Sequence, residues 1–239
     1  MKKHLPNLIT LINLFCGINA SILWLYNDQS LALTLIIIAA AADFLDGLVA
    51  RLLNVSSEIG KQLDSLCDLV SFGVFPSIVI YQYLVMNHPI SQGINIYAIP
   101  AFLIAMGAAY RLAKFNVDTR QTENFIGLNT PTMTIFVLGL YFIIEENTFG
   151  LSEVLKNDMS LYIVCILLPL LMNAEINLFG LKIKQFTVKG NELKLTMLLI
   201  AIALLISIGL QSLSFIVLIY ILLSLIFHKD KSEINTNEA

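Results

Sequence analysis

The sequence predicts an all-α polytopic membrane protein of about eight transmembrane helices, with both termini in the cytoplasm. Three observations carry that expectation. Of 239 residues, 57% are hydrophobic and only 13% are charged, about half the charge usual in soluble domains. The apolar residues fall into long runs that approach the roughly 20 residues a bilayer-crossing helix needs. The basic residues collect on one side of the threading those runs define. The net charge of -3 gives no reason to expect nucleic-acid binding, and three cysteines in apolar stretches form no paired framework.

The first run, 8–26, follows Met1-Lys2-Lys3 and has the outline of a secretory signal. Asn7, Thr10, Asn13 and Asn19 interrupt it and no Ala-x-Ala site follows, so it reads as a retained helix. The second run, 31–53, is Leu, Ile and Ala up to Asp43, and the third, 66–86, follows a short polar loop. A fourth run, 97–115, ends in Arg111 and Lys114, and a fifth covers 131–146. The sixth, 160–179, carries Glu175, a charge that no motif places. The last two, 195–210 and 213–227, are short and separated only by Gln211 and Ser212, which predicts a tight helical hairpin. With the N-terminus inside, 13 of the 14 Lys and Arg residues face the cytoplasm and Lys156 alone lies outside. The outer loop after the fifth run is acidic instead, with Glu145, Glu146, Glu153 and Asp158. The cytoplasmic cluster Lys182, Lys184, Lys189 and Lys194 is explained by orientation and is also suited to anionic lipid. Residues 1–239 are expected to form one membrane-embedded domain, with a core over 1–180 and the basic loop, hairpin and polar tail over 181–239.

Four aspartates break the apolar pattern at one place. Asp43 and Asp46 close the second run, and Asp64 and Asp68 open the third. Buried at a helix centre, each carries a penalty of roughly 2.5–3.5 kcal/mol, so the set sums to about 10 kcal/mol as an upper bound. Idle residues at helix ends are the bland alternative. The spacings of three and four put each pair on one helix face, and the short loop brings both pairs to the cytoplasmic end. Clustered carboxylates repel unless a cation intervenes, and all-oxygen ligands suit Mg²⁺ or Mn²⁺ shared with substrate phosphates. Gly47, Ala50 and Gly60 leave room either for a ligand or for close helix packing. Arg51 is placed to pair with a phosphate or with the carboxylates. The pattern points to phosphate chemistry assisted by two metal ions at the membrane surface.

The string Asp43-x-x-Asp46-Gly47-x-x-Ala50-Arg51, eight residues, then Gly60-x-x-x-Asp64-x-x-x-Asp68 resembles the signature of the CDP-alcohol phosphotransferases. Further stretches resemble the serine-using members of that family: 6–17, Asp68-Leu69-Val70-Ser71-Phe72-Gly73-Val74-x-Pro76, 111–116 and 125–131. Asn129 stands where those members carry proline, and Lys114 where they carry arginine. The resemblance implies a dimeric six-helix membrane core, here followed by the C-terminal hairpin, that displaces CMP from CDP-diacylglycerol with L-serine. It implies Asp43, Asp46 and Asp64 as ligands of Mg²⁺ or Mn²⁺, two ions per site, with Asp68 as a further ligand and the general base. Asn7, Thr10, Gly47, Ala50, Arg51 and Gly60 would hold the cytidine diphosphate.

Serine brings a carboxylate and an ammonium, so its pocket needs a cation and oxygens. Arg111, Lys114, Asn116, Arg120 and Thr130 are the candidates, while anchoring by snorkelling is the plain alternative for Arg111 and Lys114. Two other readings compete. Transfer to glycerol phosphate or an inositol derivative would want an additional basic cluster. A divalent-cation transporter would want carboxylates at the bilayer midplane and polar lining on both sides, whereas these aspartates sit at one end.

Overall fold

The structure, a computed structural model, describes residues 4–55, 57–90, 92–118, 125–180 and 191–236. They are helical almost throughout and divide into two compact units, 1–118 with 157–172 and 119–156 with 173–239. The first unit contains α1 (Leu5–Leu25), α2 (Gln29–Leu52), α3 (Glu58–Leu69), a π-helical turn (Val70–Val74), α4 (Phe75–Asn87), a 3₁₀ turn (Ile99–Phe102), α5 (Leu103–Val117) and nearly all of α8 (Asp158–Asn173). The second contains β1 (Phe125–Ile126), α6 (Thr130–Glu145), α7 (Ser152–Lys156), β2 (Asn177–Leu178), α9 (Glu192–Ile208) and α10 (Ser212–Thr236).

Short polar segments set the helix ends in the first unit. Asn27 takes a left-handed φ of 62°, and Asp28 caps α2 by accepting from the Leu31 amide at 3.2 Å. Asn54, at φ 49°, ends α2, and Ser57 caps α3 by accepting from the Gly60 amide at 3.0 Å. Because of that cap α3 begins at Glu58, ahead of the third apolar run. It continues through the π turn into α4 without a break.

The first unit buries small and polar side chains and exposes large apolar ones. On α1 the buried stripe is Pro6, Thr10, Asn13, Gly17, Ala20 and Trp24, at helical spacing. Asn13 is 0% exposed, while Phe15 two positions later is 66% exposed. This is the reverse of a water-soluble helix and suits contact with lipid outside and close backbone packing inside. Gly17 meets the π turn, where a Cβ would lie 2.9 Å from the Ser71 Cα. Gly107 of α5 meets α8, where a Cβ would lie 2.8 Å from the Pro169 Cα. Trp24 and Phe75 make an edge contact with ring centroids 5.5 Å apart. At the start of α8, Asp158 accepts from Asn87 Nδ2 at 2.8 Å and lies 2.6 Å from His88 Nε2, with the His88 ring stacked on Tyr97.

In the second unit Asn129 caps α6, its side chain accepting from the Thr132 amide at 2.8 Å. That gives the asparagine at this position a local structural reason. Gly139 lets α6 and α10 touch, and Ser214 Oγ donates to the Phe136 carbonyl at 2.7 Å. Gly209, at φ 68°, and the 3₁₀ turn Gly209–Gln211 separate α9 from α10.

Among the described residues, four helical stretches are long and apolar enough to cross a membrane: Leu5–Leu25, Gln29–Leu52, Glu58–Asn87 and Glu192–Ile226, the last interrupted at Gly209. Helices α5, α6 and α8 have 15, 16 and 16 residues, about 22–24 Å of rise, against a hydrocarbon core of about 30 Å. The sixth run is shorter than its apolar character suggests. Helix α8 stops at Asn173, and Asn177–Leu178 forms a two-residue antiparallel pairing with Phe125–Ile126. The polar residues Asn173, Glu175 and Asn177 end the helix there. Glu175 is thus an exposed residue beyond the helix, not a charge buried within a span.

Candidate active site

Three of the four aspartates converge. Asp43 comes from α2, and Asp64 and Asp68 from α3, and each offers a carboxylate oxygen within 4.8 Å of the other two. Asp46, one turn along α2 from Asp43, is 6% exposed and faces Thr10 of α1. The spacings on α2 and α3 account for the pairs, and α1, packed against both helices, closes the cluster from the side.

The carboxylates are undersupplied with donors. Asp46 Oδ2 and Asp64 Oδ1 are buried without a hydrogen-bond partner. The side-chain donor to Asp68 is Asn13 Nδ2, at 3.2 Å from Oδ1. A buried anion cluster with orphaned oxygens is strongly unfavourable by itself. The donor set is all oxygen, and it fits a hard divalent cation.

The residues implied for the nucleotide line the same end of α1, α2 and α3. Gly60 lies against Asn7, whose Oδ1 would be 3.2 Å from an added Cβ. Thr10 is buried and donates to the Pro6 carbonyl at 3.0 Å. Arg51 is exposed and folds back over Gly47, with Nη1 3.6 Å from where a Cβ would stand; Ala50 is half-buried. A side chain at Gly60 would press on Ser57 Oγ and Asn7 Oδ1, and one at Gly47 would meet the Arg51 guanidinium.

The acceptor candidates divide. Arg111 of α5 is 6% exposed, within the electrostatic reach of Asp68, and its Nε is buried without a partner. It therefore does not snorkel to an interface. Lys114, one turn later, is half-buried. Asn116 ties the end of α5 to α3: its Nδ2 donates to Gln62 Oε1 at 3.1 Å and Ser65 Oγ at 2.9 Å, and its carbonyl accepts from Lys61 Nζ at 2.7 Å. Its Oδ1 remains buried and unpartnered. Thr130 belongs to the second unit, where it is 1% exposed at the start of α6. Arg120 lies outside the described residues, as do Lys182, Lys184 and Lys189.

Two residues that charge and spacing did not single out for the site are Asn13 and Ser71. Ser71 Oγ donates to the Asn13 carbonyl at 3.1 Å, and both are completely buried. The available signal was a polar side chain in the middle of an apolar helix.

Residues 3–172 match the family model described as CDP-alcohol phosphatidyltransferase. A Bacillus subtilis CDP-diacylglycerol–serine O-phosphatidyltransferase is 32% identical over 162 residues, covering 66% of this chain and 89% of its own length. A Helicobacter pylori protein of the same name is 32% identical over 241 residues, covering 95% of this chain and 96% of its own. An archaetidylserine synthase of Methanothermobacter thermautotrophicus is 35% identical over 140 residues, 57% of each chain.

Proposed function

The chain belongs to the CDP-alcohol phosphatidyltransferase family, and from that premise we propose that it transfers the phosphatidyl group of CDP-diacylglycerol to the hydroxyl of L-serine, releasing CMP. The observation that carries this reading is the convergence of Asp43, Asp64 and Asp68 within 4.8 Å beside the buried Arg111. Every relative named above carries serine in its name.

Asp43, Asp46, Asp64 and Asp68 hold Mg²⁺ or Mn²⁺, two ions per site. Bound there, the ions supply Lewis-acid stabilisation of charge on the diphosphate. Asn7 and Thr10 of α1, with Gly47, Ala50, Arg51 and Gly60, hold the cytidine diphosphate. The small residues admit it, and the Arg51 guanidinium faces a phosphate oxygen. Arg111 receives the carboxylate of serine, with Lys114 and Asn116 farther along the same helix. Asp68 then takes the proton of the serine hydroxyl, which is a weak nucleophile when protonated. The hydroxyl oxygen forms a bond to the phosphorus that bears diacylglycerol, and the phosphoanhydride bond to CMP breaks. The leaving CMP carries away the bonding electron pair.

The protein works as a homodimer in the cytoplasmic membrane. Its single membrane-embedded domain threads eight spans, with both termini and the aspartates on the cytoplasmic side. The 13 of 14 basic residues assigned to that side support this orientation.

The test supplies purified protein with CDP-diacylglycerol, Mg²⁺ or Mn²⁺, and one acceptor at a time, and measures CMP. Release that depends on L-serine is expected. Release that depends instead on glycerol phosphate or an inositol derivative, or that needs no acceptor, contradicts the serine assignment.

A further inference from the structure

We infer that Asn13 is a positioning residue for Asp68, and that Ser71 on the π-helical turn holds Asn13 in register. The inference rests on the reading of Asp68 as metal ligand and base.

An amide in the middle of a membrane helix is unfavourable unless its hydrogen bonds are made; Asn13 commits its donor to Asp68 and leaves its own Oδ1 buried without a partner. Asn13 is 0% exposed on a helix whose outward residues are large and apolar, and its Nδ2 donates to Asp68 Oδ1 at 3.2 Å. A hydrogen bond to one carboxylate oxygen fixes the torsion of the group and so the direction of the other oxygen. Asn13 touches Asp68 and acts through it.

The main chain that carries this amide is itself held. Ser71 Oγ donates to the Asn13 backbone carbonyl at 3.1 Å, and Ser71 is likewise 0% exposed. At Gly17, one turn beyond Asn13, the two backbones come close: any Cβ would stand 2.9 Å from the Ser71 Cα. Ser71 lies in the wide turn Val70–Val74, which begins two residues after Asp68. Such turns are rare and concentrate at functional sites. Here the turn presents Asp68 to the Asn13 side chain and Ser71 to the Asn13 carbonyl at once, so α1 and α3 are locked at the carboxylate.

A purely packing role for Asn13 makes a different prediction, because leucine has similar bulk and suits a membrane helix. The experiment compares wild type, Asn13→Leu, Ser71→Ala and the double variant. Each is assayed for serine-dependent CMP release at saturating substrates, for Mn²⁺ affinity by equilibrium titration without substrate, and for thermal midpoint. Removing a partner that orients a metal-ligating group costs about 10- to 100-fold in metal affinity or activity. Asn13→Leu is expected to lose that much in kcat and to bind Mn²⁺ more weakly, with its thermal midpoint unchanged or raised. Ser71→Ala is expected to lose less in both. The double variant should match Asn13→Leu, since residues acting through one another are not additive. Retention of both kcat and Mn²⁺ affinity in Asn13→Leu overturns the inference. If Asn13→Leu does not fold, unchanged Mn²⁺ affinity and kcat in Ser71→Ala overturn it. A wild type without serine-dependent release counts against the serine reading alone, because the Mn²⁺ titrations still decide the role of Asn13.

Discussion

At the scale of single residues, the chemistry turns on which polar groups are buried and what they face. Asp68 is expected to be indispensable: Asp68→Asn should abolish turnover while CDP-diacylglycerol binding, measured directly, is largely kept. Arg111 is expected to set the affinity for the acceptor. Arg111→Gln should raise the KM for serine at least tenfold while the KM for CDP-diacylglycerol stays nearly constant, consistent with about 1.5–3 kcal/mol for a hydrogen bond to a charged group. The aspartates were legible in the sequence because charge is scarce and their spacing repeats along a helix. Arg111 was legible as a charge, but its burial was not, since a basic residue at a helix end more often snorkels. Asn13 looked like a mere interruption of an apolar helix. Its partner Asp68 is 55 positions away, and no local pattern encodes so distant a contact.

At the scale of elements, the expected helices are present with adjusted ends, and the adjustments come from caps and backbone. Ser57 starts α3 early, Asn129 starts α6, and polar residues from Asn173 onward stop α8. Asn129→Ala should lower stability by about 1 kcal/mol, the usual loss for an N-cap, read from thermal unfolding in detergent. The π-helical turn was not legible, because a wide turn depends on what it packs against and not on its own composition. Gly17→Val tests that packing. With no room for a Cβ beside Ser71, the variant should lose about 1–3 kcal/mol by overpacking, and turnover should fall with it.

The link between α4 and α8 should depend on pH. Hydrogen bonds from Asn87 and His88 hold the Asp158 carboxyl below its usual range. A carboxyl with a depressed folded-state pKa stabilises the fold above its unfolded pKa, about 3.9. That contribution is lost as pH falls through the lower folded value. Amide protection at 87–88 and 92–97, taken relative to the intrinsic exchange rate at each pH, should therefore fall on acidification, and Asp158→Asn should flatten the response.

At the scale of the whole molecule, the composition separates two kinds of polar residue. Most basic residues fall on one side of the proposed threading, whereas Asp43, Asp64 and Asp68 converge at one site. Fold class and site motif were legible for that reason. The division into two compact units was not, because it joins 157–172 to the N-terminal helices across a long stretch of chain. The orientation has its own test. In intact cells, a single cysteine placed at Lys156 should react with a membrane-impermeant thiol reagent, and one placed at Lys61 should react only after permeabilisation. The central claim is tested most directly by following isotopically labelled L-serine with purified protein, CDP-diacylglycerol and Mn²⁺. The label should move into the lipid fraction in step with CMP release, and Asp68→Asn should stop both. Label that stays in the aqueous phase while wild-type protein releases CMP would contradict the account.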